Sequence, residues 1–220
     1  MFSVFVPSDF SLKKAVAVDL GALAQLAITD GLTGLYNHRH LQEQLVLEVE
    51  RSLRTGIPLG MLMIDVDHFR LYNNRFGHQT GDEVLRRVAR LIAEHRRVND
   101  VVARYGGEEF ALLLINADHR VAYRIAERLR SRVYSEPFPE TRDIPGGTLT
   151  ISIGVASCPA DGTSASGLIA AADAALFRAK HAGRNCVRVA GDREEASPAD
   201  SASDLRVLHP SLPGLPGRER

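Results

Sequence analysis

"RYGGEEF", residues Arg104–Phe110, is preceded by "DVVA" (Asp100–Ala103) and followed by "ALLLI" (Ala111–Ile115). Both flanks are apolar runs of strand length, and the two glycines between them mark a tight turn. Two strands joined this closely are antiparallel. That hairpin excludes an all-parallel, doubly wound sheet and predicts an α+β sheet with helices on its faces. The turn also carries something a plain hairpin does not need. Asn-Gly or Asp-Gly would close it, yet two adjacent carboxylates, Glu108 and Glu109, follow Gly106 and Gly107.

Working outward, "LGMLMID" (Leu59–Asp65) is a near-continuous apolar run, the mark of a buried strand, and it ends on acid. The stretch before it places Leu41, Leu45, Val49 and Leu53 at helical spacing. After it, "GDEVLRRVARLIAEH" (Gly81–His95) puts Val84, Leu85, Val88, Leu91 and Ile92 on one helical face. Beyond the hairpin, Val121, Ala122, Ile125, Leu129 and Val133 form the inward face of another helix. A strand "LTISIGVA", a helix "GLIAAADAALFRAK" and a short strand "CVRVA" complete a compact unit over residues 29–190. Residues 1–28 are expected to be a separate segment. Leu12, Val16, Leu20, Leu23 and Ala27 make Ser11–Ile28 an amphipathic helix with no domain of its own, which reads as a dimerisation helix, or alternatively as one folded back on the core. Residues 191–220 are rich in Pro, Ser, Gly and charge, and are expected to be a disordered tail.

Composition narrows the partners. Lys+Arg and Asp+Glu stand at 27 each, so no global field draws the chain to nucleic acid or to an anionic membrane. Its two cysteines have neither zinc-site nor disulfide-framework spacing. The N-terminus lacks a secretory pattern, and no run reaches the ~20 apolar residues of a membrane span. A cytoplasmic protein with no nucleic-acid or membrane partner is expected.

Asp65 and Asp67 end the apolar strand on one side of it, and Glu108 and Glu109 stand on the turn. Three or four acids brought within a few ångströms would repel one another and raise their own pKa values unless a cation intervened. Oxygen ligands without histidine or thiolate point to Mg2+ or Mn2+, and magnesium bound this way accompanies substrate phosphates. Gly106 and Gly107, lacking Cβ atoms, would let a large ligand approach the turn. Asp67 admits two readings, a cap on the short helix that follows or a metal contact. Lys180 and Arg184, four apart at a helix end closed by Gly183, suit a triphosphate, or simply the helix dipole. Asn73 with Asp82 could read a guanine edge, although "TGDE" (Thr80–Glu83) also reads as a capping box.

"DGLTGLYN", "IDVDHFRLYNNRFGHQTGDEVL", "RYGGEEF", "LTISIGVA" and "ADAALFRAKHAGRN" together resemble the GGDEF family of diguanylate cyclases, in order and in spacing, from about Asp30 to Val189. The resemblance implies a polymerase-palm-like, ferredoxin-like domain. Working as a homodimer with one GTP per subunit, it would condense two GTP into cyclic di-GMP and two pyrophosphates. It implies that Asp65, the Val66 carbonyl and Glu108 bind metal, two Mg2+ or Mn2+ ions per site, with Glu109 beside the attacking hydroxyl. Substrate would be held by Arg70, Asn73, His78, Asp82, Gly106, Gly107, Lys180 and Arg184. It further implies product inhibition at Arg97 and Asp100 of "RVND" together with Arg128. Glu108 replaces the usual Asp of the signature and keeps a carboxylate; Arg70 stands where Lys is usual, and the two cations are not interchangeable. The competing function is a catalytically inactive receptor for cyclic di-GMP.

Overall fold

The computed structural model describes residues 28–192. The expected dimerisation helix, apart from Ile28, and the expected tail beyond Asp192 lie outside the described residues. In chain order the elements are α1 (His38–Thr55), β1 (Leu59–Val66), α2 (Phe69–Phe76), α3 (His78–Glu94), β2 (Val101–Arg104) and β3 (Glu109–Ile115). They continue with α4 (His119–Tyr134), a 3-10 turn (Pro145–Gly147), β4 (Ile151–Cys158), α5 (Ala165–His181) and β5 (Val187–Val189). The strands order as β2-β3-β1-β4-β5. The hairpin is present, with Arg104 opposite Phe110. β1 is antiparallel to both its neighbours, and only β4 and β5 run parallel.

The alternation of β1 decides what each face meets. Leu62, Ile64 and Val66 join Val84, Val88, Ile125 and Leu129 in a core under α3 and α4. Leu59, Met61 and Met63 join Leu41, Leu45, Leu168 and Leu176 in a second core under α1 and α5. All eight residues of β1 are buried, as a strand covered on both faces must be. Each such Leu, Ile or Met contributes ~1.5–3 kcal/mol by leaving water. Asp65 continues the odd-numbered face and is thereby aimed at α5. Gly154 lets α5 come that close, since a Cβ there would fall 2.1 Å from the Ala172 carbonyl oxygen.

Two local expectations are corrected. Leu53 is 46% exposed, and Ser52 takes its place on the buried face of α1 with Leu41, Leu45 and Val49. The helical repeat explains this: at 3.6 residues per turn a residue 11 positions after Leu41 is rotated by only about 20°, one 12 positions after by about 120°. The "TGDE" capping box does not form either. α3 begins at His78 behind Gly77 (φ 85°), and the Thr80 hydroxyl, inside the helix, donates to the Phe76 carbonyl at 3.0 Å. The glycine break after α2 sets the helix start three residues before the sequence pattern suggests. Caps form at Asn37, Asp118 and Ser164, whose side chains accept from His40, Val121 and Gly167 backbone N–H groups.

Candidate active site

The turn between β2 and β3 is held from both sides. Across it the Tyr105 N–H donates to the Glu109 carbonyl at 2.8 Å and the Glu109 N–H to the Gly106 carbonyl at 3.3 Å. Arg104 then clasps it: Nη2 and Nε donate to the Gly107 carbonyl at 2.7 and 3.1 Å, while Nη1 reaches both oxygens of Asp30 at 3.3 Å. The Thr33 N–H and hydroxyl fix Asp30 at 2.9 and 2.7 Å. Burial would raise the Asp30 pKa, but the Thr33 bonds and the Arg104 charge outweigh it and hold the carboxyl below its ordinary value. Gly107 has open space where a Cβ would stand, so the turn's outer surface is free for a ligand.

Beside this turn, register sets Asp65 directly opposite Glu109, and the Val66 N–H donates to the Glu108 carbonyl at 3.3 Å. Lys180, on the last turn of α5, places Nζ 2.6 Å from Asp65 Oδ2. It therefore does more than complement the helix dipole. Asp65 is buried, and that burial, eased by Lys180 and reinforced by Glu108 and Glu109, pushes its pKa up to about 6. Glu108 is raised by burial; Lys180 and Arg70 lower it and Glu109 raises it, so Arg70 acts on this slot from the exposed start of α2. Asp173, which sequence reasoning missed, is raised by burial and by Glu109. Seven residues before Lys180, it shares that flank of α5, a signal the helical repeat alone could have given.

The acids are electrostatically coupled but do not form a closed cage: among the described residues no three His, Cys, Asp or Glu side chains are grouped to hold a metal ion. Asp67 in particular neither caps α2 nor joins the others. It accepts from the Thr150 hydroxyl at 2.6 Å, the Ser152 hydroxyl at 2.7 Å and the Asn185 N–H at 3.0 Å. It thus ties the end of β1 to β4 and to the turn that follows α5. There Gly183 (φ 102°) and Arg184 (φ 65°) reverse the chain, and the Arg184 N–H returns to the Ala179 carbonyl at 3.1 Å, the long bond of a Schellman closure. Asp65, Glu108 and the Val66 carbonyl remain as an all-oxygen donor set that fits a hard divalent cation. The raised pKa values mark the negative charge such an ion would neutralise.

Asn73 stands on α2 with Oδ1 buried and unpartnered. It packs against Gly81 of α3, where a Cβ would fall 1.8 Å from that oxygen. A buried acceptor left open points to a ligand donor. Asp82 is the next residue on α3, half-buried, and His78 is exposed at its first turn. Asp100 of "RVND" is buried in the loop past α3, its carboxylate accepting from the Arg97 N–H at 2.8 Å and the Ile115 N–H at 3.2 Å. Arg97 and Arg128 are both exposed.

With this geometry in view, residues 27–186 match the family model described as "Diguanylate cyclase, GGDEF domain". The chain is 42% identical over 163 residues to the response regulator PleD of Caulobacter vibrioides, covering 74% of this chain and 36% of that protein. It is 39% identical over 161 residues to the diguanylate cyclase DosC of Escherichia coli, covering 73% of this chain and 34% of that one. It therefore spans about a third of the length of these relatives. Among solved structures, the coiled coil and GGDEF domain of DgcB from Caulobacter crescentus, in complex with c-di-GMP, superposes with a TM-score of 0.75 at 31% identity. That match covers 82% of this chain and 95% of the DgcB chain. Motif order, sheet topology and these likenesses agree: the chain belongs to the family of GGDEF-domain diguanylate cyclases.

Proposed function

We propose that this chain is an active diguanylate cyclase that condenses two GTP into cyclic di-GMP and two pyrophosphates. The observation that carries the proposal is the slot at the end of β1, where Lys180 pairs with Asp65 and its charge also bears on Glu108, beside an open glycine turn. A receptor that had lost catalysis would have no use for that arrangement. Asp65, Glu108 and the Val66 carbonyl would hold Mg2+ or Mn2+, which when bound would draw charge from the phosphate oxygens. Lys180, Arg184 and Arg70 would orient the triphosphate, and Gly106 and Gly107 would admit it. The open Asn73 oxygen and the Asp82 carboxylate would accept from the guanine edge, and His78, exposed at the first turn of α3, would line that end of the site. Glu109, opposite Asp65 in the sheet register, would take up the proton of the attacking hydroxyl. The 3′-oxygen of one GTP attacks the α-phosphorus of the other, the bond to the β-phosphate oxygen breaks, and pyrophosphate leaves. Two such steps close the ring.

The described residues carry one set of these groups per chain, so the functional unit would be a homodimer, with the helix expected at Ser11–Ile28 as its pairing element. Arg97 and Arg128 would grip a product phosphodiester, because a guanidinium fork matches its oxygens in pairs. Asp100 would keep the "RVND" loop in shape for that grip. The DgcB structure, solved with c-di-GMP, supports product binding as a property within the family. Purified protein incubated with GTP and Mg2+ should yield cyclic di-GMP and two equivalents of pyrophosphate. A linear dinucleotide alone, GDP, or unchanged GTP would overturn the proposal.

A further inference from the structure

α5 presents an exposed ridge that neither core nor substrate explains. Asp173, Phe177 and His181 recur every four residues along one flank, and all three are exposed. Phe177 is 62% exposed, more than any other Phe or Tyr among the described residues. It leans on His181 with ring centroids 4.2 Å apart. The ridge borders the catalytic slot: Asp173 feels the charges of Glu109 and Lys180, and Lys180 itself bonds Asp65. A large apolar ring held in water at the mouth of a site calls for a cover.

We propose that this ridge is where a second copy of this chain docks, fixing the distance between the two half-sites. The inference rests on the cyclase reading, in which two nucleotides must meet face to face across the mouths. The spacing names the occupant. Asp173 lies four residues before Phe177 and His181 four residues after it. Two copies of α5 crossing antiparallel about a two-fold axis at Phe177 place each Asp173 against the partner's imidazole N–H. The surface is self-complementary, a carboxylate to an imidazole N–H at each end, and apolar at its centre, as an isologous contact requires. It also gives Asp173 a partner against the repulsion it feels from Glu109 within its own chain. Phe177 is then a positioning residue: it sets how the partner's nucleotide approaches without touching it.

Three measurements on the full chain test this. Phe177→Asp should keep the melting temperature and the affinity of each chain for a non-hydrolysable GTP analogue. Its rate at saturating GTP should fall by about tenfold or more, and Phe177→Leu should restore most of it. Asp173→Lys and His181→Glu should each be impaired alone, yet an equimolar mixture should exceed both, because the mixed pair regains opposite charges across the contact. A full rate in Phe177→Asp would overturn the inference, as would analogue binding lost in proportion to rate, or no gain on mixing. Those failures leave the cyclase reading intact, whereas a wild-type chain that makes no cyclic dinucleotide would defeat that reading itself.

Discussion

Glu108 and Asp65 share a slot but carry different costs, and their amide variants should separate those costs. Glu108→Gln keeps the shape of the side chain and removes its charge. A loss of more than tenfold in turnover, above about 1.4 kcal/mol in barrier, is expected while the thermal transition holds; steady-state rates beside calorimetry check it. Asp65 is held in the fold with its pKa raised to about 6, mainly by burial, despite the Lys180 ion pair. A carboxyl raised in the folded state adds stability while protonated, below its ordinary value of about 4, and that stability is lost as pH rises through about 6. Asp65→Asn should therefore raise the stability of metal-free protein above pH ~6 by about 1–2 kcal/mol, the Lys180 pair being already counted in the raised value. The gain should fade below pH ~4. Chelator-containing melts across that range decide it; a variant less stable at pH 7.5 would mean the ion pair outweighs desolvation. On the cyclase reading, the charge that the metal would need is one that burial penalises.

At the level of elements, α2 and α3 meet through Asn73 and Gly81, and the break at Gly77 sets their angle. Gly81→Ala should gain up to ~1 kcal/mol of helix propensity, yet its Cβ would displace the Asn73 oxygen from 1.8 Å. Preference for GTP over ATP should fall about tenfold with stability unchanged or raised, and Asp82→Ala should act in the same sense, since Asp82 is no part of a cap. The cost follows from a guanine N–H left without its acceptor, ~1–3 kcal/mol. Competition assays read as kcat/KM ratios test both, and an intact ratio would detach Asn73 from base reading. The loop after α3 gives a separate test. Arg97 is exposed while Asp100 is bound into the backbone, so Arg97→Ala should keep the basal rate and lose inhibition by added cyclic di-GMP. Equal inhibition of variant and wild type would leave "RVND" as a structural loop. The contrast also shows what sequence can carry. Asp65, Glu108 and Lys180 stood out because each breaks a pattern, an acid ending an apolar strand, an acid behind a glycine turn and a cation at a helix end. The bonds of Asp67 and Asp30 did not, because their partners lie far along the chain, at Thr150, Ser152, Asn185 and Arg104, and no periodicity reports such bonds.

For the whole molecule, period-2 and period-3.6 patterning sufficed for the mixed sheet and its two cores, and the hairpin at "RYGGEEF" excluded the parallel alternative. What patterning could not place was the way the N-terminal side enters the domain. Asp30 answers that: only two residues after the first described residue, it grips Arg104, which in turn grips the catalytic turn. Asp30 and Arg104 thus fasten the first described residues to the Gly107 carbonyl, next to Glu108 in the turn. On the proposed cyclase reading, the described residues offer one donor set per chain, so ring closure would take two chains, and catalysis per molecule would depend on how many are paired. Specific activity should climb with protein concentration across the monomer–dimer transition and then level off. Removing residues 1–27 should move that rise to higher concentration without lowering the plateau, because the slot between β1, the turn and α5 is complete without them. Rates measured over a dilution series, beside sedimentation at the same concentrations, test this. A specific activity that stays flat while the dimer dissociates would mean that a single chain completes both bonds, and the one-GTP-per-chain reading would fall with it.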